Sequence, residues 1–213
     1  MVLSRFNLGN LLVGIRLVES SDFIQEGQLG YNMILGITGR SGAGKGTIVE
    51  YLVKKHGFKH YSIRGYLKKE IDRRGLLSNR DTMTEMANEI RAKHGAGYIS
   101  QQILGEALLQ SENSVIESIR SVADAKYLKS HGAQIWAVDA DIQERFKRIT
   151  QRGSETDQVS FDEFVVQEER EEDNNDPTKA NIAGVIKLAD TVLYNNETTE
   201  ELYAKVEAAL LIN

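Results

Sequence analysis

MILGITGRSGAGKGTIVEYLV (residues 33–53) passes from an apolar run through glycines and small residues to a lysine, and then into apolar residues at helical spacing. Ile34 to Thr38 is short, apolar and closed by a glycine, which predicts a buried parallel strand. From Thr47 to Lys55 the residues Ile48, Val49, Tyr51 and Leu52 predict a helix, which His56-Gly57 ends. Between the two, Gly39-Arg40-Ser41-Gly42-Ala43-Gly44-Lys45 fills the frame G-x-x-x-x-G-K. Glycines there let backbone N–H groups turn toward one point, with no side chain to keep phosphate oxygens away. The following helix aims its positive end at the same point, and Lys45 adds a charge suited to the β- and γ-phosphates of a nucleotide. The strict frame asks for a hydroxyl directly after the lysine, to meet Mg²⁺. Here Gly46 takes that place and the hydroxyl arrives one residue later, at Thr47.

Further along the chain the same alternation repeats. FKHYSI (58–63), SVIESI (114–119), AQIWAVDA (133–140) and DTVLYNN (190–196) read as strands. Helical patterns lie between them: 67–109 with breaks at Gly75 and around Gly95-Ala96-Gly97, a short helix ending at Gly132, 141–151, and 198–211 capped by Thr198 or Thr199. Strands alternating with helices predict an α/β fold, a five-stranded parallel sheet between two helical layers. Ligands of such sheets sit beyond the C-terminal strand ends. That rule selects residues 39–47, 62–66, 117–121, 139–141 and 195–197. The stretch 153–179 stands apart: it is acidic and polar, with Phe161, Phe164 and Val165 as an apolar stripe. It reads either as a mobile lid with Arg170 reaching inward or as a solvated acidic helix.

The 213 residues suffice for one substantial core, and a net charge of −5 offers no general attraction to nucleic acid. The chain has no cysteine, so disulfides, thiolate catalysis and cysteine-bound zinc are excluded, and a reducing cytoplasm is the expected setting. The four histidines show no metal-ligand spacing, and His94-Gly95 is a candidate wall of an acceptor pocket. In residues 1–32 the apolar run Leu8–Val18 is interrupted by Asn10 and Arg16 and is too short to span a bilayer. An extra strand or helix, a disordered leader, and synthesis starting at Met33 are the readings left open, with residues 33–213 as the main domain.

The ending "GKGT" of the loop resembles adenylate kinase and its nucleoside monophosphate kinase relatives. Over roughly residues 33–211 the chain is similar to an archaeal family of nucleotide kinases related to adenylate and cytidylate kinases and to dephospho-CoA kinase. The resemblance implies a P-loop kinase domain with a helical acceptor-binding region at 67–109 and a lid-like insertion at 153–179. It also implies ATP and Mg²⁺ as cofactors, with Gly39 through Thr47 on the donor phosphates. YSIRGYLKKEIDRRG (61–75) stands where such kinases contact the acceptor, which maps onto Ser62 and Arg64. MANEIRAKHGAGYIS (86–100) resembles a family stretch that makes Arg91 an acceptor-phosphate ligand. VIESIRS (115–121) matches the family's IDGIRS, so Arg120 takes the place of a phosphate-binding arginine and Glu117 that of an acid holding water around Mg²⁺. Glu117 and Ser118 depart from the family's Asp and Gly. RFKRITQRG (145–153) resembles the segment that opens the lid, making Arg148 and Arg152 transition-state clamps. Arg145, Arg148 and Arg152 share one helical face. LADTVLYNNETTEEL (188–202) resembles the closing loop, with Asn195 and Asn196 near the donor base.

The expected reaction is phosphoryl transfer from Mg·ATP to a small phosphorylated acceptor, foremost a nucleoside or deoxynucleoside monophosphate, with no nucleic-acid or membrane partner. Lys45, Arg120, Arg148 and Arg152 are the expected catalytic set. Dephospho-CoA kinase is the alternative enzyme, although the acid expected soon after the second strand is absent before Glu70. A nucleotide-binding sensor or assembly protein without efficient turnover is the alternative from another class.

Overall fold

The computed structural model describes residues 32–110, 112–153 and 159–212. The expectations for the N-terminal extension, and for part of the acidic stretch, therefore lie outside the described residues. In chain order the elements are β1 (Ile34–Gly39), α1 (Lys45–His56), β2 (Lys59–Ser62), α2 (Ile63–Arg73), α3 (Arg80–His94), α4 (Tyr98–Gln110) and β3 (Ser114–Ile119). They continue with α5 (Val122–Ser130), β4 (Gln134–Asp139), α6 (Ile142–Arg152), α7 (Phe161–Glu172), α8 (Ile182–Lys187), β5 (Thr191–Tyr194) and α9 (Thr199–Ile212). The five strands pair in parallel in the order β2-β3-β1-β4-β5, which is the predicted α/β sheet. The helical region expected at 67–109 is three helices, broken at Gly75 and Gly95 as read from sequence. The short helix α8 has no counterpart in the sequence reading.

Side-chain alternation divides the core between the two faces of the sheet. Leu35 and Ile37 of β1, Val115 of β3, and Trp136 and Val138 of β4 face α1 and α9. Ile34, Ile116 and Ile135 face the other layer, where α2, α3, α4 and α5 pack with Val185 of α8. Both faces are dry, as a parallel sheet requires. In β3, Ile119 belongs to the same face as Ile116, which strict alternation forbids. The register explains it: Ile37 pairs with Glu117 but Thr38 pairs with Ile119, so Ser118 is extra. It adopts φ 71°, the one positive φ outside glycine among the described residues. This bulge resets the parity of β3 at its C-terminal end, where the sheet should meet a ligand.

Candidate active site

β1 and β4 end side by side, and the phosphate loop leaves β1 there. Two of its glycines are required by close approach. A Cβ on Gly42 (φ 75°) would lie 2.2 Å from the Arg145 carbonyl oxygen, and one on Gly44 (φ 107°) would lie 2.3 Å from Asn195 Nδ2. Gly46 differs, because a Cβ there would meet nothing within 4 Å. The glycine at the departure from the strict frame thus leaves open space at the helix start, and no close contact among the described residues compels it. Thr47 stands one residue further into the first turn of α1, part-buried.

Lys45 Nζ donates to the carbonyl oxygens of Gly39 and Arg40, both at 2.8 Å. Burial, then the nearby Arg120 charge, push this ammonium down to about 7, against the opposing pull of Glu117 and Glu171. A lysine folded onto its own loop and short of negative partners is suited to gaining a strong bond when phosphates arrive.

Beside the loop, on the β3 side, a pocket opens whose walls include Ser41, Gly42, Lys45, Glu117, Ser118 and Arg120. The opposite wall comes from α2 and α3. Ile63, Arg64 and Leu67 project from α2, and Arg80, Met83, Thr84, Ala87, Asn88 and Arg91 from α3. Those six α3 positions follow the i, i+3, i+4 spacing of a single helical face. Asn79 fixes where that face starts, since its Oδ1 accepts from the Thr82 N–H at 2.9 Å and caps the helix. The pocket wall therefore combines apolar side chains (Ile63, Leu67, Met83, Ala87) with an amide (Asn88), a hydroxyl (Thr84) and arginines.

The residues expected from sequence sort into three groups. Lys45, Arg64, Glu117, Arg120 and Arg152 are brought together in the pocket wall. Burial pushes the Glu117 carboxyl up, but the His60 hydrogen bond (3.1 Å), Lys45 and smaller contributions outweigh it and hold the group below its usual range. Arg91 is also in the wall, yet its charge is already balanced: Nη2 donates to buried Asp124 at 2.8 Å. Arg91 thus braces α3 against α5 from within the pocket wall where the resemblance implies an acceptor-phosphate ligand.

The third group takes up other work. Ser62 caps α2, accepting from the Gly65 N–H at 3.1 Å. Arg148 does not line the pocket; its Nη2 donates to the Asn195 carbonyl at 2.8 Å, joining α6 to the segment after β5. Asn195 is buried and its Nδ2 donates to the Ala43 carbonyl at 2.8 Å, so it props the phosphate loop instead of facing a base. Asn196 accepts from the Asp141 N–H at 2.8 Å. Ser62, Asn195 and Asn196 stand at or just after strand ends, and Arg148 reaches such an end from within α6; backbone groups without a ladder partner need one there. His94 is exposed and stacks on Tyr98 at 4.6 Å, away from the pocket wall.

The acidic stretch forms α7, with Ser160 and Glu163 in a reciprocal capping box. Its stripe packs as expected: Phe164 is fully buried, and both Phe161 and Phe164 contact Phe146 of α6 at 5.1 and 5.6 Å. Arg170, however, points to solvent. The residues that reach inward are acids. Glu168 meets Arg145, Glu171 meets Arg120 and Arg80, and Glu172 meets Arg40. Sequence reasoning missed Arg80, His60 and these three glutamates. The α3 periodicity from Asn79 onward was a usable signal for Arg80; nothing local marks which glutamates turn inward.

The fit of Mg²⁺ rests on the donor set. Among the described residues no group of three or more His, Asp or Glu is placed to hold a metal. Of the two pocket carboxylates, Glu171 is taken up by Arg80 and Arg120, and Glu117 with the Thr47 hydroxyl suits a hard ion held largely through water and substrate phosphates.

Comparison with known proteins identifies the family and the fold. The AAA domain family profile matches residues 38–165. A UPF0200 protein of Methanococcus vannielii is 31% identical over 181 residues, covering 83% of this chain and 94% of the relative. Among solved structures, TT1252 of Thermus thermophilus superposes with a TM-score of 0.58 at 19% identity, covering 84% of this chain and 97% of that one. Shikimate kinase of Bacteroides thetaiotaomicron superposes with a TM-score of 0.53 at 15% identity, covering 84% and 98%. At those identities the likeness is one of fold.

Proposed function

This chain belongs to the AAA domain family and to the UPF0200 proteins found in archaea, and from that premise we propose that it transfers the γ-phosphoryl group of Mg·ATP to a small phosphorylated acceptor, foremost a nucleoside or deoxynucleoside monophosphate. The observation that carries this reading is the shared wall. Lys45 and Arg120 border both the phosphate loop and the pocket against α3, so a donor and an acceptor bound at once would place their phosphates on the same cations. Transfer passes through a loose, charge-rich transition state, and the work of the protein is alignment and neutralisation.

Each residue then has a task. The amides of Gly42 to Lys45 cradle the donor phosphates, and Lys45 swings from its own loop carbonyls onto them. Arg120 and Arg152 balance charge on the transferring group. The apolar side chains of the pocket wall hold a flat ring between α2 and α3, with Thr84 and Asn88 presenting groups to its edge. Mg²⁺, when bound with ATP, would neutralise β- and γ-phosphate oxygens, and Thr47 and Glu117 are the residues that would hold it. A phosphate acceptor is already ionised near neutral pH, so no base is required.

A hydroxyl acceptor, as in dephospho-CoA kinase, has one observation in its favour. Glu117 lines the pocket, is hydrogen-bonded to His60, and is held in its charged form, as an acceptor of a hydroxyl proton must be. The test is an ATP-consumption screen of the purified chain against nucleoside monophosphates and dephospho-CoA. Turnover with a monophosphate supports the leading reading, and turnover with dephospho-CoA alone the second. ATP binding without phosphorylation of any acceptor would overturn both, in favour of a nucleotide-binding sensor.

A further inference from the structure

Helix α7 places three carboxylates on one face, at Glu168, Glu171 and Glu172, and each is seated on an arginine at the site. The arginines come from four elements: Arg40 from the phosphate loop, Arg80 from the start of α3, Arg120 from the end of β3, and Arg145 from α6. Glu171 is the central one. It is buried, one oxygen meets Arg120 Nη1, and the other lies 3.3 Å from Arg80 Nη2. Arg80, Arg120 and Glu171 all line the pocket. Arg80 Nη2 is itself buried and makes no hydrogen bond among the described residues. Arg80 Nη1 donates to Gln167 Oε1 of α7 at 2.7 Å, so what the carboxylate leaves unsatisfied is the Nη2 edge of a guanidinium shaped for bidentate anion recognition.

Like charges at i and i+4, such as Glu168 and Glu172, weaken a free helix. Their placement here is explained by the arginines they face: Arg40 and Arg145 share the single carboxylate of Asp139 apart from α7, and Glu171 is the carboxylate that Arg80 and Arg120 meet. A carboxylate and a phosphate compete for the same guanidinium geometry, and a phosphate carries more charge and more acceptor oxygens.

We propose that Arg80 and Arg120 form the subsite for the anionic group of the acceptor, and that Glu171 occupies it in the resting protein as a built-in stand-in that the acceptor must displace. The proposal rests on the phosphoryl-transfer reading for the word acceptor only. Anion binding and docking of α7 are competitive: an incoming phosphate takes the arginines, and α7 loses the contacts that hold its acidic face down. The Phe164 contact with α6 remains as the hinge-side anchor. The arrangement keeps the cationic cluster neutralised when empty and makes release of α7 conditional on an anion of the right size.

The test uses inorganic phosphate as the probe on the full chain, by titration calorimetry at fixed ionic strength. Glu171→Gln should tighten phosphate binding by about tenfold, the factor by which a ten-to-one preference for the closed arrangement masks a site. The gain should vanish in the Glu171→Gln, Arg80→Gln double variant. An unchanged or weaker affinity in Glu171→Gln overturns the proposal, as does a gain that survives loss of Arg80, since that phosphate would be bound on the Lys45 loop. If Glu171→Gln does not fold, the wild-type protein decides by hydrogen exchange. Bound phosphate should lower protection of the α7 amides, and unchanged or increased protection overturns the idea. None of these readouts involves turnover. A chain that passes them but phosphorylates nothing keeps this inference and loses the kinase reading, and the converse result does the opposite.

Discussion

The two halves of the site are built by different means. The donor half, Gly39 to Thr47, is a backbone construction. Its shape comes from glycines whose replacement would collide with neighbouring atoms, from a strand end and from a helix start. The acceptor half is a side-chain construction, in which charges from α2, α3, β3 and α7 meet across long sequence separations. A backbone site is local and rigid. A side-chain site depends on every element that positions it, and ions or residues of α7 can replace one another within it.

The largest expected effect probes the donor half. Lys45→Ala should lower turnover by about 10³-fold, comparable to losing a preorganised charge from a phosphoryl-transfer site. Acceptor binding should weaken far less, because Arg120 and the α2–α3 wall of the pocket remain. Initial rates against ATP and acceptor concentration check this, and survival of turnover would show that the loop is not where transfer occurs.

The next effect probes the acceptor half through its brace. Arg91 and Asp124 form an ion pair in which both side chains are almost completely buried, and Asp124 also accepts from Ser121 Oγ at 2.6 Å. Removing one partner leaves an uncompensated buried charge. Asp124→Ala should therefore cost about 3–5 kcal/mol in denaturant unfolding. Pairing it with Arg91→Met should restore much of that loss. Additive losses would mean that Arg91 is held by something other than Asp124.

This contrast also marks what the sequence made legible. The five parallel strands, the two helical layers and the phosphate loop follow from periodicity and glycine spacing, which are properties of neighbouring residues, whereas the strand order β2-β3-β1-β4-β5 comes from tertiary pairing. So does the apolar stripe of α7, since Phe161 and Phe164 pack where the helical spacing sets them. The partners of charged and amide side chains are different. Asn195 fits a donor-base contact by its place in the chain, yet it spends its amide on the Ala43 carbonyl. Arg170 and Glu171 are adjacent in an acidic run, and only the docking of α7 decides that the acid turns inward. Arg148 and Arg152 likewise share a helix, but one ties down the segment after β5 while the other reaches the pocket wall. Residue type and spacing name the candidates; the partners that compete for each group come from tertiary contacts.

A subtler measurement follows from Lys45, whose ammonium is held at about 7. Near pH 8 the empty loop should carry a mostly neutral lysine, and phosphates should restore its charge. ATP binding there should take up close to one proton, read by calorimetry in buffers of different ionisation enthalpy, and the uptake should disappear in Lys45→Met. The same shift predicts the stability profile. Below pH 7 the folded and unfolded chains both hold the proton, and the desolvation cost stands in full. From 7 to about 10.5 the unfolded chain holds more protons, so stability contributed by this group rises with pH, by at most about 1.4 kcal/mol per unit. Lys45→Met should flatten that slope, and a slope unchanged by the substitution would assign it to other groups.

The smallest effect concerns Ser118, where the two halves join. It holds φ 71° in the bulge that places Glu117 and Ser118 together in the pocket wall. A left-handed backbone costs a residue with a Cβ about 1–2 kcal/mol, and glycine escapes most of it. Ser118→Gly should raise stability by somewhat less than that, because glycine also gives the unfolded chain more freedom. If the bulge is purely a backbone device, phosphate affinity and turnover should stay within about twofold of wild type. A gain in stability joined to a clear loss of acceptor binding would show that the serine side chain is part of the acceptor half, retained at the expense of a strained backbone. A loss of stability would mean that the hydroxyl holds the bulge in place, and that the turn of β3 toward the site is set by a side chain after all.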